Sequence, residues 1–139
     1  MKKILSSVLA LTVFAGTFCA YADYSDVPKN EDYYASSTRL ADLGIISGYE
    51  DGTFRPDNTI TRAEFTKIVV CMMDKEKEAK SSTNLTGFFD VDIASWHTHY
   101  IRYAVNQDIL SGYADGSFRP NNTISVCEAV TILLRTLGY

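Results

Sequence analysis

The sequence predicts a mainly α fold, a tandem pair of helix-loop-helix repeats packed as a small helical bundle. Three observations carry that expectation. The stretch from Ile45 to Ile60 is rewritten from Ile109 to Ile124, with Gly48 and Gly112 standing 64 residues apart, and the same offset links Asp26-Val27 to Asp90-Val91 and Glu64 to Glu128. Each copy is followed by a helix start, Thr61-Arg62-Ala63-Glu64 and Ser125-Val126-Cys127-Glu128, in which a cap hydroxyl and a glutamate three residues on satisfy each other's amides. Ahead of the second copy, Trp96, Tyr100, Ile101, Ala104 and Val105 recur at helical spacing. A unit this small cannot bury its own apolar face, so the two copies are expected to share one core.

Residues 1–22 read as a signal peptide: Lys2-Lys3, a short apolar run from Ile4 to Phe18, and Ala20-Tyr21-Ala22 at the expected cut. The apolar run is shorter than the roughly 20 residues that span a bilayer, so no stable membrane insertion is expected once the signal is removed. Phe18 stands before Cys19 where a lipidated cysteine needs a small residue, which argues against a lipid anchor. The signal holds two of the 13 basic residues and none of the 17 acidic ones, so residues 23–139 carry 11 against 17, a net of −6. That balance excludes nucleic acid as a general partner, because binding it needs a net positive field.

The first repeat is expected over residues 23–80, a linker over 81–86, and the second repeat over 87–139. In the first, Tyr33, Ser37, Leu40 and Ala41 form a diluted apolar stripe that Gly44 closes as a C-terminal cap. In the second, Ser95 is placed to cap, and Asp108 replaces that glycine at a left-handed position Asp tolerates. The second helices are expected from Arg62 to the region of Lys75 and from Val126 to Leu137, with Gly138 as terminator. Residues 74–87 read as fraying helix and linker. Within the loops, Asp-Gly makes a tight turn, Pro56 and Pro120 fix the exit, and Phe54 and Phe118 are expected to plug the core. Cys71 and Cys127 read as small buried hydrophobes, with a disulfide as the alternative.

Taken in order, Asp-Val, a helix carrying Trp96, Ile-Ile-Ser-Gly-Tyr, Asp-Gly-Thr-Phe-Arg-Pro and Ile-Thr-Arg-Ala-Glu make a unit that resembles the S-layer homology repeat. The resemblance covers nearly all of Asp23 to Tyr139. It implies an exported module at the bacterial cell wall and surface, anchored non-covalently to an anionic, pyruvylated secondary cell-wall polysaccharide. Such modules usually use three repeats in a pseudo-threefold bundle, and two are written here. It also implies a ligand site. Thr61 and Arg62 would meet a carboxylate with helix-end amides and a planar fork, and Ser125 opens the equivalent helix. Gly48 and Gly112 would let a sugar approach the backbone, and Trp96 would cover a ring face. Asp32 stands where the first copy should carry the tryptophan and Val126 where the second should carry the arginine. One groove is therefore expected between the copies, with Arg62 from the first and Trp96 from the second.

Glu64 and Glu128 are explained as structural capping groups, not catalytic acids. Arg62 has no such explanation, since a cation at the first helical position opposes the helix dipole. His97 and His99, two apart on a helix, point to different faces and make no metal site, and no oxygen-rich calcium loop surrounds Asp51-Gly52. No nucleophile motif or phosphate loop is present, so no enzyme and no cofactor is expected. The alternative to wall binding is a degenerate pair serving as an assembly or docking element. Its apolar second helices are expected to associate with a second copy or with another protein of the same repeat type.

Overall fold

Capping decides where the two long helices begin. In the computed structural model, which describes residues 23–83 and 87–139, the hydroxyls of Thr61 and Ser125 each accept the amide of the glutamate three residues on. Each glutamate takes the cap amide in return. The helices are α1 (Tyr34–Asp42), α2 (Arg62–Met72), α3 (Glu76–Ser81), α4 (Thr98–Asn106) and α5 (Val126–Thr136). Among the described residues the only β pairing is an isolated bridge between Thr61 and Thr123, so the fold is mainly α. The expected signal segment and the Asn84-Leu85-Thr86 stretch lie outside the described residues, and no described helix is long and apolar enough to cross a membrane.

Left-handed residues close the helices at the places sequence indicated. Gly44 has φ +70° and Asp108 φ +56°, and the next amides, those of Ile45 and Ile109, turn back to the carbonyls of Leu40 and Ala104. The same device corrects the expectation for residues 74–81. Asp74, at φ +56°, terminates α2 outright, with Lys75 N–H reaching Val70 at 3.1 Å. The chain then re-enters a separate helix, α3, whose Ala79 is fully buried, so this segment is packed and not frayed.

The core is shared between the repeats, and unequally. It gathers Val69 and Val70 of α2, Ala79 of α3, Tyr100, Ile101 and Ala104 of α4, Phe118 of the second loop and Ile132 of α5. Helix α4 lies across both α2 and α3, and α2 also touches α5, whereas α1 packs on no other described helix. The second helix of repeat 1 thus completes the core of repeat 2. Two local expectations are corrected. The cap of α4 is His97 without a side-chain bond, because Ser95 and Trp96 lie in a turn ahead of the helix. Cys71 is half-buried and Cys127 exposed, both as free thiols, so Cys127 is not a core hydrophobe.

Candidate functional site

The two loops are built alike. Asp51 accepts the Thr53 amide at 3.1 Å and the Thr53 hydroxyl at 2.6 Å with one oxygen, and Arg55 at 2.8 Å with the other. Asp115 repeats this with Ser117 and Arg119. Arg55 and Arg119 hold left-handed backbone, φ +59° and +60°, and their guanidinium groups lie 4.0 and 4.1 Å from the rings of Tyr49 and Tyr113. Asp26 takes the amides of Phe54 and Arg55, both at 2.7 Å, and Asp90 those of Phe118 and Arg119 at 2.8 and 2.7 Å. Such donors stabilise the ionised form. The Thr53 hydroxyl, with Arg55 next, pushes Asp51 down to about 2, and the Phe54 amide leads in lowering Asp26. These carboxylates are engaged inside the loops. Among the described residues no group of three or more His, Cys, Asp or Glu side chains is placed to hold a metal ion.

The loop glycines serve packing. A Cβ on Gly48 would stand 2.4 Å from the Tyr24 ring and 2.7 Å from the Thr53 carbonyl. On Gly112 it would meet the Phe88 ring at 2.1 Å and the Ser117 carbonyl at 2.8 Å. The space expected for a sugar beside each glycine is taken by an aromatic ring of the same repeat.

Arg62 is seated under the second loop. It is 6% exposed, donates Nη2 to the Ser111 carbonyl at 2.7 Å and meets Glu128 through Nη1 at 3.3 Å, with its guanidinium 4.8 Å from Phe118 and 5.2 Å from Tyr113. Glu128 also accepts the Tyr113 hydroxyl and the amide and hydroxyl of Ser125. The Tyr113 hydroxyl first, then Ser125, and also nearby Arg62, push Glu128 down to about 2. Burial and paired hydrogen bonds therefore explain Arg62 structurally. The helix end beside it is closed too, since the amides of Arg62 and Ala63 donate to the carbonyls of Asn122 and Pro120 at 2.9 and 3.0 Å. No amide of that turn is left for an anion.

The expected single groove divides in two. Arg62 lines one of about 290 Å³ with Ser111, Gly112, Tyr113, Glu128 and Arg135. Trp96 lines another of about 570 Å³ with Gly48, Tyr49, Phe54, Glu64 and Lys67. Trp96 is 52% exposed and packs edgewise on His97 and Tyr100. Thr61 is half-buried at the start of α2 and Ser125 exposed at the start of α5. Lys67, which sequence reasoning passed over, approaches only the Ser47 hydroxyl, at 3.5 Å, and has no carboxylate partner among the described residues. A lone lysine in a helix gave no signal of its own.

Two repeats braced by Asp-Val, closed by Asp-Gly-x-Phe-Arg-Pro and joined through a buried arginine match the sequence profile of the S-layer homology domain over residues 23–66 and 88–125. The chain belongs to the S-layer homology domain family. It is 38% identical over its whole length to a surface layer protein of Brevibacillus choshinensis, covering 13% of that protein. It is also 38% identical, again over its whole length, to a middle cell wall protein of Brevibacillus brevis, covering 14%. Over 70% of its length it is 33% identical to a cellulosome-anchoring protein of Acetivibrio thermocellus, covering 22% of that protein. The S-layer homology chain thus spans only a small part of these relatives.

Proposed function

We propose that the chain is a non-catalytic anchoring module at the bacterial cell surface, holding non-covalently to an anionic, pyruvylated secondary cell-wall polysaccharide. The observation that carries this reading is the groove of about 570 Å³ between the first loop and the second repeat, with an exposed indole on its rim and an uncommitted ammonium inside. Trp96 offers a flat apolar face to a sugar ring, and Lys67 offers a charge to a carboxylate. The family and the names of the relatives, a surface layer protein and a cellulosome-anchoring protein among them, support a surface role. The carboxylate reader in this groove is Lys67, since Arg62 lies in the other groove, with Nη1 on Glu128, Nη2 on Ser111 and its Nε buried without a partner.

Retention on purified walls, before and after chemical removal of pyruvyl groups, tests the proposal. Trp96→Ala is expected to weaken retention by about 1 kcal/mol, roughly fivefold, and Lys67→Ala to abolish the difference between native and pyruvyl-free walls. If neither substitution nor pyruvyl removal changes retention, the second reading, an assembly element without sugar binding, takes its place. The engagement of Arg62 in packing favours that alternative.

A further inference from the structure

The entry to α4 seats a histidine in a place that suits only its neutral form. His97 is 6% exposed, stands at the cap of α4 without a side-chain bond, and has its Nδ1 buried with no partner among the described residues. A neutral imidazole tolerates this seat, whereas an imidazolium carries a proton on both nitrogens and would leave a buried N–H without an acceptor. The surroundings give such a charge little help. Helix α4 has no acidic residue in its first turn, and the positive end of its dipole opposes a cation. Asp92 is the charge that favours an imidazolium at His97, and its Oδ1 already accepts the Ala94 amide at 2.9 Å. His99, whose Nε2 is also buried without a partner among the described residues, faces Lys80 and Glu76 of α3 and Arg102 of α4. Glu76 is taken by Lys80 at 2.8 Å and by the Tyr100 hydroxyl at 2.7 Å, and α2 brings Lys67 and the Cys71 thiol near the same carboxylate. Burial leads in pushing both histidines below the ordinary 6.5. The His97 ring also meets the Trp96 indole edge-on, 5.3 Å between centroids, and that indole stands on the rim of the groove proposed for the polysaccharide.

We propose that His97 is a proton-driven switch on this groove: neutral, it stays seated and holds the Trp96 indole at the rim; protonated, it leaves its seat toward water and Asp92 and draws the indole off the sugar face. Given the wall-binding reading on which this rests, attachment is released in mildly acidic surroundings. Linkage gives the direction. The seated ring is held neutral, so the released state binds the extra proton; the seat is fully stable above 6.5 and weakens as pH falls below it. Carboxylates with ordinary values, the pyruvyl group's included, titrate below that window, and Glu128 acts only between 4.5 and about 2. The movement is confined to the turn ahead of α4, because Tyr100, Ile101 and Ala104 are fixed in the core. The offset of 64 residues puts Asp32 and Tyr33 at the corresponding places of repeat 1, so the switch is written once, beside the tryptophan.

Trp96 is the one tryptophan of the chain, so its indole N–H resonance reports the rim alone. The spectrum is followed from about pH 8 to about pH 5, the range in which histidine titrates. In the parent the resonance is expected to move with a midpoint below 6.5; in His97→Gln it stays in place, and in His99→Gln it still titrates. His97→Asn is the second polar replacement, for use if the glutamine variant does not fold. Retention on purified walls over the same range is expected to fall about fivefold, the worth of the indole contact, and to be flat in the folded His97 variant. An indole that does not titrate, or that titrates alike with His97 replaced, overturns the switch, and so does parent retention that is equal at the two ends of the range. A parent that is not retained even at neutral pH overturns wall binding instead, and the indole titration, which uses no polysaccharide, tells that failure from a failure of the switch.

Discussion

An arginine at the first position of a helix faces the positive end of the helix dipole, a conflict of roughly 0.3–1 kcal/mol. Arg62 tolerates it because its charge is met by Glu128 and its second nitrogen by Ser111. Arg62→Ala would leave the Ser111 carbonyl without its donor and Glu128 without its cation. It is expected to destabilise the fold by about 2–3 kcal/mol, discounted because Glu128 is partly exposed. Urea unfolding measures this, and an unchanged midpoint would return Arg62 to a pure ligand role. Arg62→Lys should recover part only, since an ammonium cannot span both partners. Glu128 carries a pH signature. Its folded value of about 2 lies below the ordinary 4.5, so the unfolded chain binds the extra proton. The stability it contributes is complete above 4.5 and is lost as pH falls toward 2. Glu128→Gln should flatten the fall in urea midpoint across that window, and a fall as steep as the parent's would contradict the assignment.

At the scale of elements, the features legible in the sequence were those set by local chemistry. Both capping boxes and the left-handed closures at Gly44 and Asp108 depend on residues within a few positions of each other, and all could be read directly. What was hidden depends on distance. Asp26 and Asp90 were visible as repeated residues, but their task of holding the amides of loops 28 residues away was not. Nor was the seat of Arg62, whose partner Glu128 lies 66 residues on. Helix α3 was missed because its burial rests on a single alanine in a charged run. The glycines of the loops were read as openings for ligand because sequence does not show which ring fills the space. Gly112→Ala tests the corrected reading. Its methyl must displace the Phe88 ring or the Ser117 carbonyl, so a loss of about 1–3 kcal/mol is expected, as for overpacking elsewhere. A neutral effect on thermal unfolding would put the sugar back beside the glycine.

Across the whole molecule, the joint between repeats runs in one direction, from the second helix of one unit into the loop of the next, and such a heterologous contact leaves different faces bare at its two ends. On α5 the bare face includes Val126, Val130, Leu134 and Leu137, the counterparts of Arg62, Thr66, Val70 and Met73 that α2 buries or half-buries. Repeat 1 lacks the equivalent covering, and its α1 packs on no described helix, with Ser37 as its one buried residue. Stability should therefore be graded along the chain and not divided at the repeat boundary. Amides of α2 and α4, joined through Val69, Val70, Ile101 and Ala104, should exchange with deuterium only through global unfolding. Those of α1 should exchange through local opening at a lower free energy, although α1 and α2 belong to the same sequence repeat. Native-state hydrogen exchange at increasing denaturant separates the two, because local opening is insensitive to low denaturant. Equal protection of α1 and α2 would mean that repeat 1 folds as a unit, and the one-directional joint would lose its energetic consequence.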